Sequence, residues 1–220
     1  GSANAGGLAG GLSSSSVTNG YYDSNTSGMS DTHATSQTTA QLQGTLPSGF
    51  SSSDWSTGGG LYPYLKTFYP NSVQAISGTA TDSSGSAVAA AGIRVYAGGA
   101  LLGNGSSGVN GYYYLIAEPG TLTSSTGLGA ALTLKGASDV TGLSYTDTPA
   151  LSSGNVTGFD IRSGLIDATT AATSYSGLQT ALSSTFGSTT LSAILANIGT
   201  PDYKIDASGA FDFDQATTFA

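Results

Sequence analysis

Apolar and polar residues alternate along the middle of this chain and then change to a helical spacing. From Val73 to Asp82 the order Val-Gln-Ala-Ile-Ser-Gly-Thr-Ala-Thr-Asp has the alternation of a half-buried strand, and Asp82-Ser83-Ser84-Gly85 closes it as a turn. Ile93-Arg94-Val95-Tyr96-Ala97 alternates again, Gly98-Gly99 turns, and Leu101-Leu102 begins another strand. Asn110-Gly111 is a strong hairpin signal and leads into Tyr112-Tyr113-Tyr114-Leu115-Ile116. Later candidates are Ala131-Leu132-Thr133-Leu134 and Gly158-Phe159-Asp160-Ile161-Arg162. The pattern predicts about six or seven short strands in an antiparallel β-sandwich over residues 71–164.

Beyond it, Leu178, Ala181, Leu182 and Phe186 share one helical face, as do Leu191, Ile194, Leu195 and Ile198. With Gly187 and Gly199 as stop signals, residues 165–200 predict two short amphipathic helices packed on the sandwich or on each other. Residues 201–220 return to strand alternation in Tyr203-Lys204-Ile205-Asp206 and Phe211-Asp212-Phe213-Asp214, where a further β region would begin. Residues 1–70 are rich in Gly and Ser, with aromatics in bursts. Small residues as dense as Ala5-Gly6-Gly7-Leu8-Ala9-Gly10-Gly11-Leu12 suit the close layers of a β-solenoid end. Thr38–Gln43 predicts a short helix with hydroxyls as N-cap candidates. Together with Asp54-Trp55 and Leu61-Tyr62-Pro63-Tyr64-Leu65 it would seal that end, covering strand edges. The expected fold is mainly β.

Composition narrows the function. Only 8% of the 220 residues are charged, against about a quarter in ordinary globular domains, so the surface is built from hydroxyls and backbone. The 12 Tyr and 38% hydrophobic residues argue for packed cores rather than disorder. A net charge of -8 repels phosphate backbones, which excludes nucleic acid as a partner. No run of 18 or more apolar residues exists, so membrane insertion is not expected. A signal peptide pattern is also missing, and an export signal would lie outside this stretch. The absence of Cys excludes disulfides and thiolate metal sites. It is compatible with the cytosol and with bacterial exoproteins that unfold to cross membranes; a Ser/Thr/Gly-rich, Lys-poor surface that gives trypsin-like proteases little to cut favours the second.

Two resemblances sharpen the picture. Gly-Gly-Leu-Ala-Gly, Asn-Gly-Tyr-Tyr-Asp-Ser-Asn-Thr-Ser-Gly, Thr-Ala-Gln-Leu-Gln, Leu-Pro-Ser-Gly-Phe, Asp-Trp and Tyr-Pro-Tyr-Leu follow in order over residues 5–65. This series resembles the end of a GLUG-repeat region in bacterial exoproteins similar to filamentous haemagglutinins. The resemblance implies the end of a right-handed β-helix, a two-partner or related secretion route, and adhesion. Within residues 76–115, Ser-Gly-Thr-Ala-Thr-Asp-Ser-Ser-Gly, Ala-Gly-Ile-Arg-Val-Tyr and Asn-Gly-Tyr-Tyr-Tyr resemble the carboxypeptidase-regulatory-like, or transthyretin-like, β-sandwich. Members of that family serve as spacers and stalks in surface proteins.

Candidate chemistry is sparse. His33 is the only histidine, so neither a hydrolytic triad nor a histidine metal site can be assembled, and an exposed side chain is expected. Asp23-Ser24-Asn25-Thr26-Ser27-Gly28 mimics half a calcium loop, but Ala34 occupies the twelfth position, where an acid is required. A turn held by Asp and Asn side chains is expected instead. Asp212 and Asp214 would point to one face of a strand, as part of a calcium site, a glycosidase pair or a solvated face. No cofactor is expected, and calcium is the one ion left open. Asp54, Asp82 and Asp139 read as turn residues. Glu118 with Lys66, Lys135 or Lys204 is a poor start for an isopeptide cross-link, which needs a core lysine beside the acid.

Tyr112, Tyr113 and Tyr114, with Tyr21, Tyr22, Tyr62 and Tyr64, offer either platforms for sugars or half-buried strand packing. Tyr203, Ile205, Phe211 and Phe213 form a candidate edge for strand addition. Asn25, Asn104 and Asn155 head Asn-x-Ser/Thr triplets, which matter only where asparagine is glycosylated. The chain reads as a non-enzymatic structural or adhesive segment of a large secreted bacterial cell-surface protein, with a self-assembling extracellular fibre subunit using strand addition, or a polysaccharide-binding accessory module, as the alternatives. Its expected partners are a host or abiotic surface, glycans or neighbouring copies of itself.

Overall fold

The computed structural model describes residues 5–13, 15–120, 127–133, 141–146, 154–169, 175–197, 203–205 and 211–213. Near the N-terminus, small residues leave few side chains to pack, and the elements are short. Strand β1 (Tyr21–Asp23) leads into α1 (Ser24–Ser27), a single turn, and pairs in parallel with β2 (Thr35–Gln37). Asp23 caps α1, its Oδ1 accepting from the N–H groups of Asn25 at 2.8 Å and Thr26 at 3.2 Å, and left-handed Gly28 ends it at φ 62°. The half calcium loop is therefore a capped helical turn. Helix α2 (Thr39–Leu42) begins with a capping box: the Thr38 hydroxyl accepts from Gln41 N–H at 3.2 Å, and Gln41 Oε1 accepts from Thr38 N–H at 2.8 Å. A hairpin follows, pairing β3 (Trp55–Gly58) with β4 (Leu61–Leu65).

The alternating middle of the chain supplies β5 (Gln74–Thr81), β6 (Gly92–Ala97), β7 (Ala100–Ser106), β8 (Tyr112–Ala117), β9 (Leu128–Thr133), β10 (Gly142–Thr146), β11 (Ile161–Arg162) and β12 (Ile166–Thr169). They form a three-stranded sheet, β11-β5-β8, and a five-stranded sheet, β12-β10-β9-β6-β7. The two sheets face each other across one core. Ile76, Ala80, Tyr113 and Ile161 come from the smaller sheet, and Ile93, Val95, Leu128, Ala130 and Leu132 from the larger. Each residue set keeps the period of two that places alternate side chains on one face.

Three details differ from the sequence pattern. Strand β12 falls in the 165–200 stretch expected to be helical, because β10 offers it a parallel partner. The β10–β12 and β5–β11 pairs are parallel, so the sheets are not purely antiparallel. The chain leaves β10, crosses to the smaller sheet as β11 and returns as β12, and such a crossover delivers a strand in parallel where a hairpin cannot. The Asn110-Gly111 turn also does not close a hairpin. It joins β7 of one sheet to β8 of the other, with Gly111 N–H donating to Gly108 O at 3.0 Å and Gly111 O accepting from Ala80 N–H at 2.8 Å. Gly98-Gly99, at φ 56° and 80°, is the hairpin turn, linking β6 and β7 in two residues as the twist of paired strands favours.

The smaller sheet is closed tightly at Gly78. A Cβ there would overlap the carbonyl carbon and oxygen of Phe159, which are backbone atoms and cannot rotate away. Gly78→Ala is expected to destabilise the protein by about 1–3 kcal/mol, the range for overpacking, measurable as a lower urea midpoint. An unchanged midpoint would mean that the Phe159 segment yields freely.

Two helices, α3 (Tyr175–Phe186) and α4 (Ser188–Asn197), form in the expected stretch, and Gly187 N–H donates to Ser183 O at 2.9 Å where α3 stops; Ile198 and Gly199 lie outside the described residues. Leu182, Phe186 and Leu191 are buried on the outer face of the five-stranded sheet, against Tyr96, Ala131, Leu143 and Tyr145. The helices thus pack both on the sheet and on each other. Phe186 lies within van der Waals reach of the backbone only because Gly129 has no side chain: a Cβ there would overlap the edge of the ring at Cζ. Finally β13 (Tyr203–Ile205) and β14 (Phe211–Phe213) pair antiparallel, with Tyr203 opposite Phe213 and Ile205 opposite Phe211.

Candidate functional site

The most elaborate polar construction among the described residues is the joint between the N-terminal elements and the smaller sheet. It starts with Asp23. While Oδ1 caps α1, Oδ2 accepts the Thr39 hydroxyl at 2.7 Å and the Tyr62 hydroxyl. One carboxylate therefore ties α1, the start of α2 and β4 together. Charge-assisted hydrogen bonds of this kind are about twice as strong as neutral ones.

Tyr62 extends the tie to the sheet. Its ring meets that of Tyr114 edge-on, with centroids 4.8 Å apart at 89°. Its backbone N–H donates to the Tyr114 hydroxyl at 3.3 Å. One strand position away from Tyr113, Gln43 Nε2 donates to the Tyr112 hydroxyl at 2.8 Å. Leu61 is buried with Val73 and Ala75, and Tyr64, Tyr69 and Tyr114 pack around them. On the flank, Val109 N–H donates to Thr26 O at 2.8 Å. Asn155 closes the other side, its Oδ1 accepting from Ala75 N–H at 2.8 Å and its Nδ2 donating to Gly59 O. Apolar contact, aromatic contact and hydrogen bonds from side chain and backbone all cross one seam.

The alternation of β8 divides the three tyrosines. Tyr112 and Tyr114 face the joint, half-buried, with their hydroxyls engaged as above. Tyr113 points the other way and is 1% exposed, its hydroxyl donating to Phe159 O. Its ring presents no face to a sugar. Burial pushes the Tyr114 phenol up to about 12, lifts Tyr62 further with help from its bond to Asp23, and raises buried Tyr113 as well. Because folding raises each phenol above its ordinary value near 10, their contribution to stability is complete below pH 10 and is lost as pH climbs through about 12 and beyond. The melting temperature is expected to hold steady to about pH 10 and then fall steeply, in step with the phenolate absorbance. A flat melting temperature through pH 12 would contradict this reading of the joint.

The remaining candidates lie apart. His33 is exposed, and its backbone N–H donates to Asp31 Oδ1 at 2.7 Å. Asp31 Oδ2 accepts from the N–H groups of Leu8 and Ala9, each at 2.8 Å, and bonds from Ala9, His33 and Leu8 hold this carboxyl below its ordinary value. Asp82 is the expected turn residue, accepting from Ser84 Oγ at 2.6 Å, Ser84 N–H at 2.8 Å and Ser86 N–H at 2.9 Å. The Ser84 hydroxyl chiefly holds its carboxyl low. Asp54 is exposed in the turn before β3, as expected. Glu118 and Lys66 are both exposed, and Lys66 Nζ donates to Ser52 O at 2.6 Å. Lys135, Asp139 and Asp214 lie outside the described residues. Tyr203, Ile205, Phe211 and Phe213 pair with one another in the hairpin, and the Lys204 backbone sits opposite Asp212.

Among the described residues no group of three or more His, Cys, Asp or Glu is placed to hold a metal ion, and no helix is long and apolar enough to cross a membrane. Sequence reasoning singled out Asp23 and Tyr62 separately but not their contact, which spans 39 residues of chain. The only local signals were the Asp23 cap and the Thr38-x-x-Gln41 box. No protein-family model, curated protein or solved structure matches the chain.

Proposed function

We propose that this chain is a structural and adhesive segment of a large secreted bacterial cell-surface protein, part of an adhesin stalk or fibre, rather than an enzyme. The observation that carries this reading is the joint. A stalk must transmit force between modules without hinging, and Asp23, Tyr62, Tyr112 and Tyr114 join two modules through side chains on both sides of the seam. The parallel β1–β2 pair supports the finer reading of a right-handed β-helix end. It sets Tyr21 beside Thr35 in parallel register, the direction in which neighbouring coils of a solenoid pair. The facing sheets support a sandwich spacer of the carboxypeptidase-regulatory-like kind. Contact with a host or abiotic surface, or with glycans, would then be weak and multivalent.

A second reading, a self-assembling fibre subunit, draws on the β13–β14 hairpin, since a two-stranded hairpin gains stability by adding to a further sheet. Immunogold electron microscopy of intact producing cells, with purified chain beside them, separates the two. A stalk segment gives label on fibres at the cell surface and discrete particles from the purified chain. Fibres from the purified chain alone would favour the subunit, and label confined to the interior of opened cells would sink both.

A further inference from the structure

Of the three Asn-x-Ser/Thr triplets, the structure presents one as an acceptor. We propose that Asn104 is a site of asparagine-linked glycosylation, taking a sugar from a glycosyl pyrophosphate donor. A transferase that reads this triplet must reach the amide and the hydroxyl two residues on together. In a strand, side chains two apart stand on the same face; in a helix they diverge.

Asn104 and Ser106 lie on β7, at the edge of the five-stranded sheet, and both are exposed. Cross-strand register sets Asn104 opposite Arg94 and Ser106 opposite Gly92, on the face away from the core residues Ile93 and Val95. The Asn104 amide makes no hydrogen bond within the described residues, so its nitrogen is free to react.

The other two triplets are compromised. Asn25 and Ser27 sit inside the α1 turn, and Asn25 Oδ1 accepts Thr39 N–H at 3.1 Å. Asn155 is bonded through both amide atoms in the joint. In the proposed step the Asn104 amide nitrogen attacks the anomeric carbon, the bond from that carbon to the pyrophosphate oxygen breaks, and the amide proton passes to a base. The products are the N-glycosyl amide and free pyrophosphate ester. A glycan here would also cover an edge strand with no Lys, Pro or other charge of its own to discourage pairing. Asn104 is an acceptor by this geometry whether or not the chain is adhesive.

The test incubates the folded chain with two sequon-specific systems: an oligosaccharyltransferase with lipid-linked oligosaccharide, and a soluble transferase with nucleotide-activated hexose. An acceptor peptide serves as the positive control in each. Intact mass and peptide mapping are expected to show one glycan per chain on Asn104 with at least one system, and which system works identifies the donor. Modification should vanish in N104Q and in S106A, whose exposed positions leave the fold intact, and persist in N25Q and N155Q. Modification at Asn25 or Asn155 with Asn104 untouched would overturn the assignment. So would a folded chain that stays unmodified in both systems while the control peptide reacts.

Discussion

Phe186→Ala is expected to lower the unfolding free energy by about 3–5 kcal/mol, the cost of emptying a fully buried aromatic site. Phe186 has 0% exposure and lies 5.2 Å from the Tyr96 ring, at 49° to it. Its second neighbour is the bare backbone of Gly129. That contact makes a sharper prediction. Gly129→Ala should itself cost about 1–3 kcal/mol, since the new methyl needs the volume the ring fills. In the Phe186→Ala background the same methyl enters a cavity, so most of the Gly129→Ala cost should disappear. Equilibrium urea unfolding of the two single variants and the double variant reads the coupling directly. Additive effects would mean that the helices lie on the sheet without interlocking with it.

Asp23→Ala is expected to cost about 2–4 kcal/mol, combining a lost helix cap with two hydroxyls deprived of a charged acceptor. The affected partners are Thr39 and Tyr62, and the loss should be felt along the seam as far as Tyr114. Asp23→Asn separates the terms, because Asn caps a helix about as well as Asp but carries no charge; its cost should be nearer 1 kcal/mol. Denaturant midpoints of the two variants check this order. Equal losses would place the whole effect in the charged joint and none in the cap, whereas an Asp23→Asn variant as stable as the unaltered chain would place it all in the cap and contradict the clamp.

The local elements were legible because their causes are local. A period of two over Val73–Asp82, a two-glycine turn at Gly98-Gly99 and a helical face at Leu178, Ala181, Leu182 and Phe186 each follow from neighbours a few residues apart. What the sequence hid depends on distant chain. Asn110-Gly111 has the residues of a hairpin turn, yet Gly111 is held by Ala80, some thirty residues away, and passes the chain to the other sheet. Strand β12 begins where the pattern suggested a helical stretch, because Ile166–Thr169 finds β10 as a parallel partner. Tyr112, Tyr113 and Tyr114 look alike in sequence. Alternation alone gives two faces, but only the packed sheets decide that the middle ring is core and the outer two meet Gln43 and Tyr62. Asp23 is the fullest case. Its role as a cap was local, while its role as a clamp needs Thr39, 16 residues on, and Tyr62, 39 residues on.

A rigid joint makes the N-terminal elements and the sheets behave as one body. Native-state hydrogen exchange read by mass spectrometry tests it most directly, comparing amides in Leu61–Leu65 with those in Gln74–Thr81. A rigid joint predicts that both segments open with the same free energy in the unaltered chain. In Asp23→Ala, Leu61–Leu65 should lose protection while Gln74–Thr81 keeps most of its own. If Leu61–Leu65 already exchanges far faster in the unaltered chain and Asp23→Ala changes nothing, the two parts are independent and the stalk reading loses its mechanical basis.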